Sequence, residues 1–211
     1  MLRRSFFSRV AAASYGFGLA PSQSPGTIPP RPAWQPVRHE QDDWLDTLPG
    51  KHRVAFDTWM APNFGNAMLF VGNYFRANRD GYSVNEGDLA VVVCVHHQTA
   101  PFAFNDAMWA KYGKAFSKRM EWVDPKTQEP PATNIYARQV ANFVKQGVHF
   151  AVCNMTTRAY TQIIANETHR STDDVYKELT GNTFGNAHFV PAGVVAATRA
   201  QERGYSIISI G

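Results

Sequence analysis

An unbroken apolar run, Leu89–Val95, constrains the possible folds of this chain more than any other feature. Its residues do not alternate between apolar and polar, and such a run is typical of a strand that is covered on both faces. Strands of this kind lie in parallel sheets that carry helices on each side. The run therefore predicts the central strand of an α/β sheet.

Strand-like and helix-like segments alternate from His52 onward, which is typical of βαβ units. The predicted strands are 52–58, 88–96, 148–153, 187–191 and 205–210. The predicted helices are 65–78, 105–118, 134–146, 156–166, 172–179 and 194–203. We therefore expect the α/β class, with a mainly parallel sheet of about five strands and helices on both faces, in a single domain over residues 51–211.

Residues 98–131 fit this alternation least well, because aromatic residues are scattered through them around the predicted helix. We interpret the stretch as an inserted lid or an oligomer surface. Its aromatic residues include Phe102, Phe104, Trp109, Tyr112, Phe116 and Trp122.

The first residues resemble a bacterial twin-arginine export signal. Arg3 and Arg4 are followed by aromatic residues and by a short, weakly hydrophobic stretch that reaches small residues near Ala20 and Ser22. We expect residues 1–22 to be a signal peptide that directs the protein to the periplasm. Since the first 39 positions carry no acidic residue, a mitochondrial presequence is an alternative, and a basic amphipathic start without a targeting role is another.

Prolines are frequent in residues 23–50, which predicts an extended linker or a wrapping arm, because proline interrupts helices and central strands. Trp34, Trp44 and Leu45 are candidates to pack this arm on the domain or on a neighbouring subunit. The prolines of the stretch are Pro25, Pro29, Pro30, Pro32, Pro36 and Pro49.

Charge and motif content exclude several functional classes. The net charge is +4, but Arg3, Arg4 and Arg9 lie in the predicted signal peptide, and removing these three charges leaves +1. We therefore expect no nucleic-acid partner.

No stretch of about 18 consecutive apolar residues occurs, so we expect no membrane span. The motifs of P-loop proteins, serine hydrolases, zincins and EF-hands are absent, and we expect neither a cofactor nor a metal.

Cys153 is the predicted catalytic residue. It ends the strand-like run GVHFAVC and precedes a helix-starting sequence, Asn154–Thr157. In open α/β sheets, ligands collect at the carboxyl ends of the strands. Unpaired N–H groups and the dipole of a helix N-terminus favour a thiolate there. An inert core cysteine is the alternative interpretation.

Other polar residues follow the predicted strands at the same edge. Adjacent residues of a strand point to opposite faces, so either His96 or His97, but not both, faces the cleft; a structural histidine is the alternative. Arg158 is a candidate to stabilise a thiolate or to bind an anion, and a solvated surface arginine is the other interpretation. The candidate binding residues are thus Arg158, His96, Thr156 and Asn154.

Cys94 is the second cysteine of the chain. Cys94 and Cys153 lack the CxxC spacing, so they form neither a zinc motif nor a thioredoxin motif. A disulfide between them requires neighbouring strands and Cα atoms within about 7 Å. Whether they pair is left open.

Four segments together carry a resemblance to a known family. The most specific are VPAGVVAATRAQERGYSII, residues 190–208, and GVHFAVC, residues 147–153; GNYFRAN and DLAVVVCVHH are weaker. Over residues 51–211 the chain resembles the DsrE/DsrF-like sulfur-relay family, especially its exported members with twin-arginine leaders. The resemblance implies a three-layer α/β/α domain, assembly into trimers or hexamers, and a persulfide-forming cysteine. Cys153 maps onto that cysteine through the Gly-Val-x-x-x-x-Cys spacing.

These observations lead to alternative functional predictions. The first is an exported homo-oligomer in which Cys153 binds or transfers sulfane sulfur between a sulfur donor and an acceptor thiol. The second is a non-catalytic module in which the aromatic stretch and the strand-end cleft bind a small ligand, haem or a partner protein. A thiol–disulfide role for Cys94 with Cys153 is the third.

Overall fold

Five parallel strands form the central layer of the computed structural model, which describes residues 34–211. The strand order is β4-β3-β2-β1-β5. The strands are β1 (His52–Thr58), β2 (Leu89–Val95), β3 (His149–Cys153), β4 (Ala187–Val190) and β5 (Ser206–Ile210). The predicted signal peptide, residues 1–22, and residues 23–33 of the predicted arm lie outside the described residues.

β2 lies at the centre of the sheet, and every one of its residues is buried. This confirms the prediction from its apolar run. Its neighbours, β1 and β3, pair with it in parallel register, with Asp57 opposite Cys94 and Val95 opposite Val152.

Seven α-helices flank the strands within the described residues. They are α1 (Trp44–Thr47), α2 (Phe64–Tyr82), α3 (Asp106–Met120), α4 (Ala137–Lys145), α5 (Asn154–Thr168), α6 (Thr172–Thr180) and α7 (Gly193–Glu202). Among residues 34–211, none of these helices combines the length and the apolar character that a membrane crossing requires.

The two faces of the sheet are covered unequally. Side chains of α2 to α6 pack on one face and form a large core, to which Val93 and Val95 of β2 contribute. The other face is covered by α1 and α7, and Val92 and Cys94 contribute to this smaller second core. The domain is therefore a three-layer α/β/α structure, which confirms the predicted fold class.

The aromatic stretch is part of the large core rather than a lid or an exposed surface. The six aromatic residues named above are all buried. The Phe102 ring lies 5.5 Å from that of Trp109, whose indole nitrogen donates to the Pro101 carbonyl at 3.0 Å. The spacing of Trp109, Tyr112 and Phe116 places them on one side of α3, so this helix packs as the other core helices do.

Residues 36–48, here called the strap, pack against the second core. The strap contains a 3-10 turn, Glu40–Asp42, and the short helix α1, although its proline content predicts an extended arm. The difference arises because the prolines flank these turns at Pro36 and Pro49 and leave the residues between them able to turn. Leu45 and Leu48 are buried in the second core.

Polar contacts from the C-terminal part of the chain hold the strap in place. The buried Arg203 guanidinium donates to Asp46 at 3.2 Å and to Asp43 at 3.3 Å. The Tyr205 hydroxyl donates to the Leu45 carbonyl at 2.7 Å. The strap is thus an integral part of the second layer.

Candidate functional site

Cys153 is the last residue of β3 and the N-cap of α5, as predicted for this strand-to-helix junction. Its side chain is 4% exposed. The Thr156 backbone N–H donates to its sulfur at 3.4 Å, and the Thr156 hydroxyl donates at 3.2 Å. Both donors meet the sulfur at the positive end of the helix, where a negative charge is stabilised.

Thr156 links the cysteine to the turn that follows β2. Its hydroxyl oxygen accepts a hydrogen bond from the His97 backbone N–H at 3.1 Å. His97 has a φ of 52°, in the left-handed region, so the chain turns sharply here and its backbone N–H points at α5. Because the oxygen of the Thr156 hydroxyl accepts the His97 N–H, the hydroxyl hydrogen is available to point at the Cys153 sulfur.

His96 directly follows β2, and Cys153 ends the neighbouring strand, β3. The register pairs Val95 with Val152, one residue before His96 and Cys153. The His96 imidazole, however, pairs with Asp57 of β1, which lies on the other side of β2 from β3. The two predicted site residues thus lie at the same edge of the sheet, and among residues 34–211 no hydrogen bond joins their side chains.

Asp57 orients the His96 ring. Its Oδ1 lies 3.0 Å from His96 Nε2, and the two side chains are 15% and 14% exposed. Asp57 was not predicted from the sequence. The available signal was an acidic residue inside a predicted strand, directly after the apolar run Val54–Phe56, because a buried acid there needs a partner.

The amino end of α7 packs directly on His96. A Cβ atom at Gly193 would lie 2.5 Å from both Cβ and Cγ of His96, which is closer than such atoms approach. A residue with a side chain at this position would therefore displace the imidazole. This gives a steric reason for the glycine in the VPAG segment.

Two other predicted site residues face α6 rather than the sulfur. The Asn154 Oδ1 accepts a hydrogen bond from the Tyr176 hydroxyl at 2.7 Å. The Arg158 guanidinium lies 4.3 Å from the centre of the Tyr176 ring. Asn154 and Arg158 thus tie α5 to α6, and the structure does not bring the Arg158 cation to Cys153.

A cavity of about 340 Å³ lies next to this edge. It shares His97 with the Cys153 and Thr156 arrangement, and Cys153 is not among its lining residues. The Arg119 guanidinium lies 5.5 Å from the centre of the Tyr160 ring. Burial raises the pKa of the Tyr160 phenol, so this ring stays neutral. The lining residues are His97, Gln98, Arg119, Glu121 and Tyr160.

Cys94 and Cys153 both carry free thiols. Cys94 pairs in register with Ala151, so Cys153 lies two residues further along β3. Strand spacing and rise put their Cα atoms about 8 Å apart, beyond the reach of a disulfide. Burial raises the pKa of the Cys94 thiol, and the Asp57 charge raises it further, so Cys94 is the inert cysteine of the two.

The carboxyl edge of the sheet therefore combines a capped thiol with an imidazole–carboxylate pair. Residues 34–211 contain no group of three or more histidine, cysteine, aspartate or glutamate side chains arranged to hold a metal ion. No protein-family model matches the chain, and no curated protein matches it significantly. The geometry of this edge is the basis for the functional assignment.

Proposed function

We propose that this protein is a DsrE/DsrF-like sulfur carrier in which Cys153 accepts sulfane sulfur and passes it to an acceptor thiol. The observation that carries this proposal is the position of Cys153 at the N-cap of α5, where Thr156 donates two hydrogen bonds to its sulfur. Sulfur transfer requires a thiolate nucleophile, and donors at a helix N-terminus favour the thiolate.

The transfer needs no external oxidant. The Cys153 thiolate attacks the terminal sulfur of an inorganic polysulfide, a new S–S bond forms, and the polysulfide leaves as an anion that is one sulfur shorter. Cys153 then carries the persulfide Cys–S–S⁻. An acceptor thiolate attacks the outer sulfur, takes it, and releases the Cys153 thiolate.

His96 and Asp57 are suited to handle the proton of the Cys153 thiol. An ionised Asp57 only accepts hydrogen bonds, so His96 Nε2 carries a hydrogen and, in the neutral ring, Nδ1 is the basic nitrogen. An imidazole oriented by a carboxylate is a common activator of a nucleophile. Support for this role comes from the position of His96, one residue after Val95, which pairs with Val152 next to Cys153.

The small exposed fraction of Cys153 favours a compact donor. Cys153 is 4% exposed, and so narrow an opening admits an inorganic polysulfide more easily than a bulky persulfide. We further propose, from the sequence resemblance, that the chain is exported to the periplasm by residues 1–22 and works as a homo-oligomer.

Intact-mass measurement after incubation with polysulfide tests the carrier role. We expect a gain of about 32 Da, one sulfur atom, that a thiol reductant reverses. Cys153→Ser should abolish the gain. Cys94→Ser is the matched control, since Cys94 is fully buried and should not react. No gain in the native protein, or an equal gain in Cys153→Ser, would overturn the proposal.

A second candidate is a non-catalytic module that binds a small ligand in the cavity beside this edge. The observation in its favour is the pairing of an Arg119 cation with the Tyr160 ring in a pocket of ligand-binding size. Under this alternative, Cys153→Ser would leave ligand binding unchanged and Arg119→Ala would weaken it. Equilibrium binding of small sulfur oxyanions to the two variants distinguishes the candidates.

A further inference from the structure

Two histidines at the β3–β4 edge of the sheet share a hydrogen bond. His149 Nδ1 lies 2.8 Å from His188 Nε2. The ring centres are 5.1 Å apart and the planes differ by 18°. The rings are therefore nearly coplanar and point nitrogen to nitrogen, so one ring donates its N–H and the other accepts with a bare nitrogen.

Trp44 of the strap covers this pair. Its ring centre lies 3.9 Å from that of His188, and the planes differ by 7°. The His149 ring is 6.3 Å away at 19°. One face of the pair is thus closed by α1, and the strap contacts the sheet through a pair of titratable rings.

The charged groups of the elements packed on this face are paired with one another. Arg199 pairs with Asp42 and Glu202, and Arg203 pairs with Asp43 and Asp46. Arg53 donates to the Leu45 and Leu48 carbonyls and lies over the Tyr205 ring. Among residues 34–211, no carboxylate forms an ion pair with either imidazole of the pair.

We propose that His149, His188 and Trp44 form an acid-sensitive latch, which holds the strap on the sheet near neutral pH and loosens it on acidification. The shared hydrogen bond needs one bare nitrogen. When both rings are protonated, no acceptor remains, and two like charges face each other beneath the indole.

The direction of the pKa shifts agrees with this geometry. Burial lowers the pKa of His149, and burial followed by the His149 charge lowers the pKa of His188 to about 4. Release of the strap exposes one face of the rings to water and moves their pKa values toward the ordinary value of about 6.5. Between these values the released form binds more protons than the docked form, so docking is fully present above about pH 6.5 and weakens as the pH falls toward about 4.

Hydrogen exchange of the strap tests the latch. We expect protection of residues 36–48, corrected for intrinsic exchange, to fall about tenfold between about pH 7.5 and about pH 5, while β2 stays protected. His188→Phe keeps a flat ring beneath Trp44 but removes one of the two titrating rings and their mutual repulsion, so its strap protection should depend on pH much less. His39→Gln is the matched control, because His39 is an exposed strap residue outside the pair and its variant should keep the pH dependence.

Two results would contradict the latch. One is equal strap protection at both pH values in the native protein, and the other is an unchanged pH dependence in His188→Phe. If circular dichroism shows that His188→Phe does not fold, His149→Gln provides the same test, since it removes the facing ring nitrogen. The latch does not involve Cys153, so its failure and failure of the sulfur-carrier proposal are separate results.

Discussion

Asp57 connects β1 to the candidate site through its side-chain carboxylate. It lies on the face of the second core near the end of β1, directly after the apolar residues Val54–Phe56, and its partner is the His96 ring at 3.0 Å. Without a partner, a largely buried carboxylate is destabilising, so the pair stabilises both side chains. It also gives the His96 ring a defined orientation at the carboxyl edge of the sheet.

Replacing this carboxylate should slow sulfur loading without unfolding the protein. In Asp57→Asn the amide can still hold the ring, but it does not stabilise a protonated imidazole, so we expect the rate of persulfide formation to fall about tenfold or more. Time-resolved intact mass measures the rate, and its pH profile should change as well. The control is Asp80→Asn, which alters an exposed acid and should load sulfur at the native rate. An unchanged rate of persulfide formation in Asp57→Asn would remove His96 from the mechanism.

A side chain at Gly193 should damage the same site by steric contact. The added Cβ of Gly193→Ala would lie 2.5 Å from His96 Cβ, so α7 or the imidazole must shift. We expect a loss of about 1–3 kcal/mol in the free energy of unfolding, measured with denaturant. Gly81→Ala, near the end of α2, meets no atom within 4 Å and should be neutral or slightly stabilising. Equal stabilities for the two variants would refute this packing argument.

Individual site residues were only partly predictable from the sequence. The position of Cys153 followed from the order of an apolar run and a helix start, which is a local pattern. The partners of Arg158 and Asn154 did not follow, because the contact with Tyr176 depends on how α6 packs on α5. Asp57 was missed for the same reason, since its partner lies on another strand.

At the scale of elements, the strap depends on one buried arginine. The Arg203 side chain is fully buried and donates to Asp43, Asp46 and the His39 carbonyl. These contacts join the end of α7 to the strap. The polar network therefore fixes where α1 lies on the second core.

Removing this arginine should release the strap. We expect Arg203→Ala to lower the free energy of unfolding by about 2 kcal/mol, because it removes the packing of a buried stem and the hydrogen bonds of its guanidinium to the half-exposed carboxylates of the strap. Arg203→Lys should recover only part of this loss, since it lacks the planar fork. Arg38→Ala, which breaks an exposed pair with Asp46, should change stability by less than about 1 kcal/mol. Chemical denaturation measures the free energy of unfolding of both variants. Equal losses in Arg203→Ala and Arg38→Ala would contradict the role of Arg203 in holding the strap.

The strands were more predictable than the segments between them. All five strands were predicted within a residue or so of their bounds. The central strand β2 was the simplest case, because a parallel strand covered on both faces has a uniformly apolar composition. The aromatic stretch 98–131 was misinterpreted, since composition does not tell whether aromatic side chains face a core or a partner. The strap helix was missed because the prolines of its flanks dominated the average composition.

At the scale of the whole molecule, the unequal layers explain why the strap matters. The first layer contains five helices, whereas the second consists of α7 together with the strap. Without the strap, part of the sheet face around Ala90 and Val92 would be exposed to water. The fold class was predictable from the alternation of elements, but this sharing of a layer between distant parts of the chain was not.

The contact between Arg203 and Asp43 spans 160 positions of the chain. During translation the strap is made long before α7, which carries its binding surface. The second layer therefore cannot close until α7 and Arg203 have been synthesised, and this long-range contact forms as a late event.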